Sequence, residues 1–309
     1  MKRNILFVLC LAISTTLAAA PNVVVSIMPL HGIVSDVMEN VGEPALILKR
    51  NDSPHDYALR PSDARLMAAS DLVIWVGPEL EGFLRKPIAN IADRAQLLTL
   101  AERQLPVVLS YKQGHGHDHD HGHGSSDDSD DHNDSLFDPH IWLSTENAIY
   151  IAHEVARKLS EMDAHNKVTY HQNASNAEER YEEVSRQLNK RFKLLEQQSF
   201  LAIHNAFSYF SENFGLNFLS HSAVDGQLQP GLESIREMRK MIVENGIRCV
   251  FIESRSSESL VDVIGSQQPL QSILLDPIGM QVNPGTGAWD RIMNSIADTI
   301  FSCAKASDQ

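Results

Sequence analysis

Four side chains with the chemistry of metal ligands lie far apart in this chain of 309 residues: His55 in NDSPHDYALRPSD, His140 in DPHIWLS, His204 in AIHNAFSYF and Asp276 in LLDPIGM. Each sits where an apolar, strand-like stretch gives way to a loop. Three neutral imidazoles and one carboxylate or water make a four-coordinate nitrogen and oxygen shell. That set suits Zn(II), whose filled d shell imposes little geometric preference. Manganese favours more oxygen, and calcium and magnesium favour oxygen throughout; copper competes for the same imidazoles. Taken singly, each residue has a plainer reading. A lone histidine at a strand end commonly holds a structural hydrogen bond, and Asp-Pro commonly opens a turn. The argument rests on four such residues at comparable positions.

A second group of candidate ligands is packed into one stretch. GHGHDHDHGHG places His115, His117, His119, His121 and His123 at alternate positions, and His132 follows in an Asp- and Ser-rich run. Residues 113–135 contain no basic residue and few apolar ones, a composition that cannot offset its ordering entropy, so a mobile loop is expected. Its sites would be several, weaker and faster-exchanging than a site built on strand ends. It reads as an accessory low-affinity metal loop, with a solvated acidic linker of no metal role as the alternative. Among the other histidines, His153, His165 and His171 fall on helical segments facing solvent. Packing accounts for His31 and His221.

Three histidines and a water also describe a hydrolytic zinc site. The chain has no HExxH and no GxSxG motif. A carboxylate closing the fourth position would leave no metal-bound hydroxide to attack a substrate.

The elements that must bring these residues together alternate in type. VVVSI (23–27), ALILK (45–49), LVIWV (72–76) and QLLTL (96–100) are β-rich and apolar on both faces, with amphipathic stretches such as 30–41 and 62–69 between them. FLAIH, NFLSHS, RCVFIES and LQSILLD repeat the pattern in the second half, with helices such as 232–245 between them. Continuous apolar strands alternating with helices predict an α/β fold of two doubly wound parallel-sheet lobes. Ligands of such sheets bind beyond the carboxyl ends of the strands. Between the halves, Ala174, Ala177, Tyr181, Val184, Leu188, Phe192 and Leu195 recur at steps of three or four. This predicts a long rigid helix joining the lobes over 163–195, roughly 50 Å at ~1.5 Å per residue. The expected organisation is a signal peptide (1–20), an N-terminal lobe (21–162, including the 113–135 loop), the linker helix (163–195) and a C-terminal lobe (196–309).

The opening MKRNILFVLCLAISTTLAAA has a basic start, an apolar run too short for a membrane span and a small-residue exit near Ala20. Those are the parts of a secretory signal, and the mature protein is expected to be exported, without membrane insertion. Cys10 lies inside the apolar run after Leu9, which argues against a lipid anchor. Loss of Lys2 and Arg3 takes the formal charge from −14 to −16. So acidic a surface repels nucleic acid and attracts cations. Two cysteines remain, Cys249 and Cys303; in an oxidising compartment such a pair reads as a disulfide, with two buried thiols as the alternative.

HDYALRPSD, VGPELEGF, DPHIWLS, HNAFSYF and LLDP, in this order, resemble the signatures of the periplasmic zinc-binding component of high-affinity zinc ABC importers. The resemblance covers essentially the whole mature chain, and the His-rich acidic loop falls where that family carries one. It implies the fold of the metal-type periplasmic binding proteins, His55, His140 and His204 as metal ligands and Asp276 at a carboxylate-supplying position. It also implies a bond between Cys249 and Cys303. The implied role is capture of Zn²⁺ by a monomer in the periplasm and delivery to an inner-membrane permease with its cytoplasmic ATPase. A metal-dependent adhesin or a scavenger would share the fold. Two positions depart from the family pattern: Pro54 stands where a glutamate often precedes the first ligand histidine, and Asn205 where an aspartate often follows the third.

Overall fold

The computed structural model describes residues 20–49, 54, 57–111, 136–195, 197–220, 230–266 and 270–306. The signal segment, His55 and the His-rich stretch with His115, His117, His119, His121, His123 and His132 lie outside them, as does His221.

The first lobe is a parallel sheet of β1 (Val23–Val25), β2 (Ala45–Leu46), β3 (Leu72–Trp75) and β4 (Gln96–Thr99), in the order β2-β1-β3-β4. The second lobe contains β7 (Ser199–Ala202), β8 (Asn217–Ser220), β9 (Cys249–Ile252) and β10 (Gln271–Leu274), also parallel, in the order β10-β9-β7-β8. Numbered within its own lobe, each sheet runs second-first-third-fourth. The direction in which successive strands are added therefore reverses between the first and third strands of both, β1 and β3 in one and β7 and β9 in the other. Such reversal points open a crevice at the carboxyl ends of the strands.

Period-two burial shows why these strands lack polar faces. Phe200, Ala202 and Phe251 enter the large core shared with the first lobe, while Leu201, Val250 and Ile252 enter a separate cluster with Met238, Ile242, Val261 and Ile264. The last four come from α7 (Leu232–Glu244) and α8 (Glu258–Ile264). The sheet is thus covered on both sides, as continuous apolar strands require.

Helix α4 (Thr145–Met162) turns back at Asp163 into α5 (Lys167–Phe192), which a single 3₁₀ turn extends to Leu195. The long helix expected from the apolar stripe is present. Tyr170, Ala174, Ala177, Tyr181, Leu188 and Phe192 are its buried face. Asp163 makes the corner without Gly or Pro: its carboxylate accepts from the Asn166 side chain at 2.7 Å and the Tyr170 hydroxyl at 2.9 Å.

The C-terminal helix α9 (Ala288–Ala306) packs on α5 and on α1 (Met28–Val37) of the first lobe. Gly32 permits the second contact, since a Cβ there would stand 2.8 Å from the Trp289 nitrogen. Beside it, buried Asp36 accepts from the Tyr181 hydroxyl (2.6 Å) and the Gly287 amide (2.7 Å) and pairs with Arg180 (2.7 Å). One carboxylate thereby ties α1, α5 and the start of α9 together. Cys249 on β9 is bonded to Cys303 on α9, with Cα atoms 6.1 Å apart. Closing a loop of 54 positions contributes on the order of 4 kcal/mol in the chain-entropy view.

One element lies outside the alternating pattern. β5 (Ser110–Tyr111) and β6 (Leu136–Phe137) pair antiparallel, Ser110 opposite Phe137 and Tyr111 opposite Leu136, closing the chain on either side of the His-rich stretch. Among the described residues no helix is long and apolar enough to cross a membrane.

Candidate metal centre

His140 leaves β6 through Asp138 and Pro139, just before a 3₁₀ turn at Ile141–Leu143. Its side chain is buried, and Asp138, wholly buried, fixes it twice: one carboxylate oxygen accepts from the His140 amide at 3.0 Å and pairs with Nδ1 at 2.8 Å. A carboxylate against Nδ1 keeps the proton there and directs the Nε2 lone pair outward, the arrangement that supports histidine as a metal ligand. The Tyr209 hydroxyl donates to the Asp138 carbonyl at 3.1 Å, and Tyr209 belongs to α6 (Ser208–Phe214), the helix that follows His204.

His204 stands two residues beyond the end of β7. The imidazole rings of His140 and His204 face each other edge to face with centroids 5.3 Å apart. With Zn–N near 2.1 Å, a ring centroid lies roughly 3.2 Å from the ion, so two imidazoles at a tetrahedral angle have centroids about 5.2 Å apart. The observed spacing matches that geometry. Asn205, at the position that differs from the family pattern, accepts from the Ser208 hydroxyl at 3.2 Å and so closes the turn into α6.

Asp276 follows β10. It caps its own turn, Oδ1 accepting from the amides of Ile278 (3.1 Å) and Gly279 (2.8 Å), and Oδ2 from Gln281 at a long 3.4 Å. Burial raises its pKa, and the surrounding amides oppose that rise. The indole of Trp142 donates to the Pro277 carbonyl at 2.9 Å, and Trp289 donates to the Trp142 carbonyl at 2.8 Å. The first bond holds the turn after His140 against the Asp276 turn, and the second holds it against α9.

The sequence reading passed over two acids beside the imidazoles, Asp138 against His140 and Glu253 against His204. Glu253 follows β9, and its Oε1 lies 3.9 Å from His204 Nε2. Burial, with the Asp276 charge adding to it, pushes its carboxyl up to about 8. The signal was present, since RCVFIES ends in an acid just as FLAIH ends in a histidine. Another acid, Glu81, is wholly buried at the equivalent reversal point of the first lobe. It accepts from the Ser26 hydroxyl (2.5 Å) and from the amides of Val76 (3.2 Å) and Gly77 (2.9 Å).

The described residues thus unite His140 and His204 and set Glu253 and Asp276 beside them. Among the described residues no three His, Cys, Asp or Glu side chains meet at metal-ligand spacing. Of the other described histidines, His31, His153 and His171 lie where expected, whereas His165 falls in the turn between α4 and α5 rather than on a helix. His31 is buried against the Pro44 carbonyl at 3.0 Å, and desolvation lowers its pKa. His153 pairs with Glu178 at the surface, and His165 and His171 are exposed.

Comparison with known proteins agrees with this architecture. The chain is 31% identical over 296 residues to the high-affinity zinc uptake system protein ZnuA of Yersinia pestis, covering 93% of this chain and 92% of that one. It is 30% identical to the protein of the same name from Brucella abortus, covering 91% of each chain. Among solved structures it superposes on a ZnuA crystal structure with TM-score 0.75 at 20% identity, covering 92% of this chain and 99% of the other. It superposes on the periplasmic zinc-binding protein TroA of Treponema pallidum with TM-score 0.74 at 18% identity, covering 92% and 98%. The model of the periplasmic zinc-uptake complex component A family matches residues 23–303, and the chain belongs to that family.

Proposed function

We propose that the protein captures Zn²⁺ between its lobes through His55, His140 and His204, with a carboxylate completing the shell, and delivers it to an inner-membrane ABC permease driven by a cytoplasmic ATPase. The observation that carries this reading is the pair of facing imidazoles, His140 and His204, one from each half of the chain at the spacing of two ligands on one ion. The working units are a lobe of residues 21–162, a connecting helix of 163–195 and a lobe of 196–309. The protein acts as a monomer in the periplasm after cleavage near Ala20. A binding role, rather than hydrolysis, fits carboxylates beside the imidazoles that can close the shell.

A competition titration against a chromophoric zinc chelator tests this. His140→Ala and His204→Ala each remove one ligand and are expected to weaken zinc at least a hundredfold, and His55→Ala similarly. A variant lacking either described imidazole that still binds zinc as tightly as the unmodified protein would overturn the site.

A further inference from the structure

We infer that Glu253 supplies an oxygen ligand to the zinc ion held by His140 and His204. The inference rests on the proposed function and identifies the closing group of that site. It begins with strand register. β7 and β9 are adjacent and parallel, with Leu201 opposite Val250 and Ala202 opposite Phe251. The ladder continues past the last pair, the Ile203 amide donating to the Phe251 carbonyl at 3.0 Å. Two residues further on, His204 and Glu253 are level with each other on the same side of the sheet, since side chains alternate with period two. They emerge at the β7/β9 reversal point, where the fold opens its crevice.

The separation suits one shared ion. His204 Nε2 and Glu253 Oε1 are 3.9 Å apart. Zinc contacts of about 2.0–2.1 Å to nitrogen and about 2.0–2.2 Å to oxygen reach across such a gap. The second imidazole faces that of His204 with ring centroids 5.3 Å apart, and because the three side chains do not yet meet at ligand spacing, sharing one ion requires them to close onto it.

The two neighbouring acids differ in how they are already engaged. Asp276 is committed to its turn, with three backbone amides on its two oxygens. Its better-placed oxygen, Oδ1, takes the two shorter bonds. Among the described residues Glu253 has no such cap, and His204 Nε2 stands 3.9 Å from its Oε1. A carboxylate occupied by its own turn is the weaker candidate to rotate onto an ion.

The test uses the full mature chain with zinc alone as ligand. Glu253→Gln keeps the shape of the side chain and removes its charge; thermal unfolding of the metal-free protein checks that it folds. Glu253→Gln is expected to weaken zinc at least tenfold in competition titration, and Asp276→Asn to weaken it less. A crystal structure of the unmodified zinc-loaded protein is expected to place a Glu253 oxygen about 2.0–2.2 Å from the metal. An oxygen beyond about 3 Å overturns the inference, because a carboxylate acting only through its charge would stand there. Unchanged affinity in Glu253→Gln, with zinc lost in His204→Ala, overturns the inference and leaves the proposed function standing. Unchanged affinity in both variants overturns the two together.

Discussion

Three acids, Asp138, Glu253 and Glu81, sit at the carboxyl ends of strands, and each does something different there. Asp138 orients an imidazole, Glu253 faces one, and Glu81 binds the loop after β3 back onto β1 through Ser26. Among the described residues no cation pairs with Glu81. Burial dominates over its hydrogen-bond donors and pushes its carboxyl up to about 7. A carboxyl whose pKa is higher folded than unfolded favours the folded state while protonated. Its contribution is therefore complete below its ordinary value of 4.5 and is lost as pH rises through about 7. The shift corresponds to on the order of 3 kcal/mol across that window. Thermal unfolding of the unmodified protein and Glu81→Gln between pH 5 and 8 checks this. The stability advantage of the unmodified protein should shrink as pH rises, and a gap that stays constant would show that Glu81 does not titrate in this range. This residue was not legible in the sequence, because the burial of a carboxylate depends on Ser26, 55 positions away. The imidazoles were legible, because a histidine just past an apolar β-rich run is a local signal.

Among the elements, the parallel strands and the long helix were readable from periodicity, and the seams between elements were not. β5 and β6 are two residues each and are separated by the His-rich stretch, so neither carries a pattern of its own. The corner at Asp163 is made by side-chain bonds where no Gly or Pro announces a turn. The packing of α9 on α1 depends on Gly32, whose missing side chain lets the Trp289 backbone approach. Gly32→Ala would place a Cβ 2.8 Å from the Trp289 nitrogen, and backbone on both sides leaves little room to yield. A loss of about 1–3 kcal/mol in chemical denaturation is expected, the usual cost of overpacking. Stability within a few tenths of a kcal/mol of the unmodified protein would mean that α9 slides freely on α1. Because α9 also carries Cys303, bonded to β9, such a slide would be transmitted toward the strand that ends at Glu253.

At the scale of the molecule, the elements that position His140 lie outside the His-rich stretch. The chain enters and leaves that stretch through paired residues, Tyr111 opposite Leu136, and the Asp138 amide then donates to the Leu109 carbonyl at 2.9 Å. His140 is therefore positioned by the β5–β6 ladder, Asp138 and the tryptophan bonds, all of which lie outside residues 114–134. Excising Gly114 to Asp134 leaves Lys112, Gln113 and Ser135 to join Tyr111 to Leu136, a length that antiparallel hairpins close readily. The shortened protein is expected to keep one tight zinc per molecule in competition titration. It should lose the additional weaker equivalents that a stretch of alternating histidines takes up at excess metal. If the tight equivalent disappeared with the excision while the protein remained folded, the assignment to His140 and His204 would be reversed and the binding capacity would belong to the His-rich stretch. If the weaker equivalents persisted, that stretch would be an acidic linker with no part in metal handling.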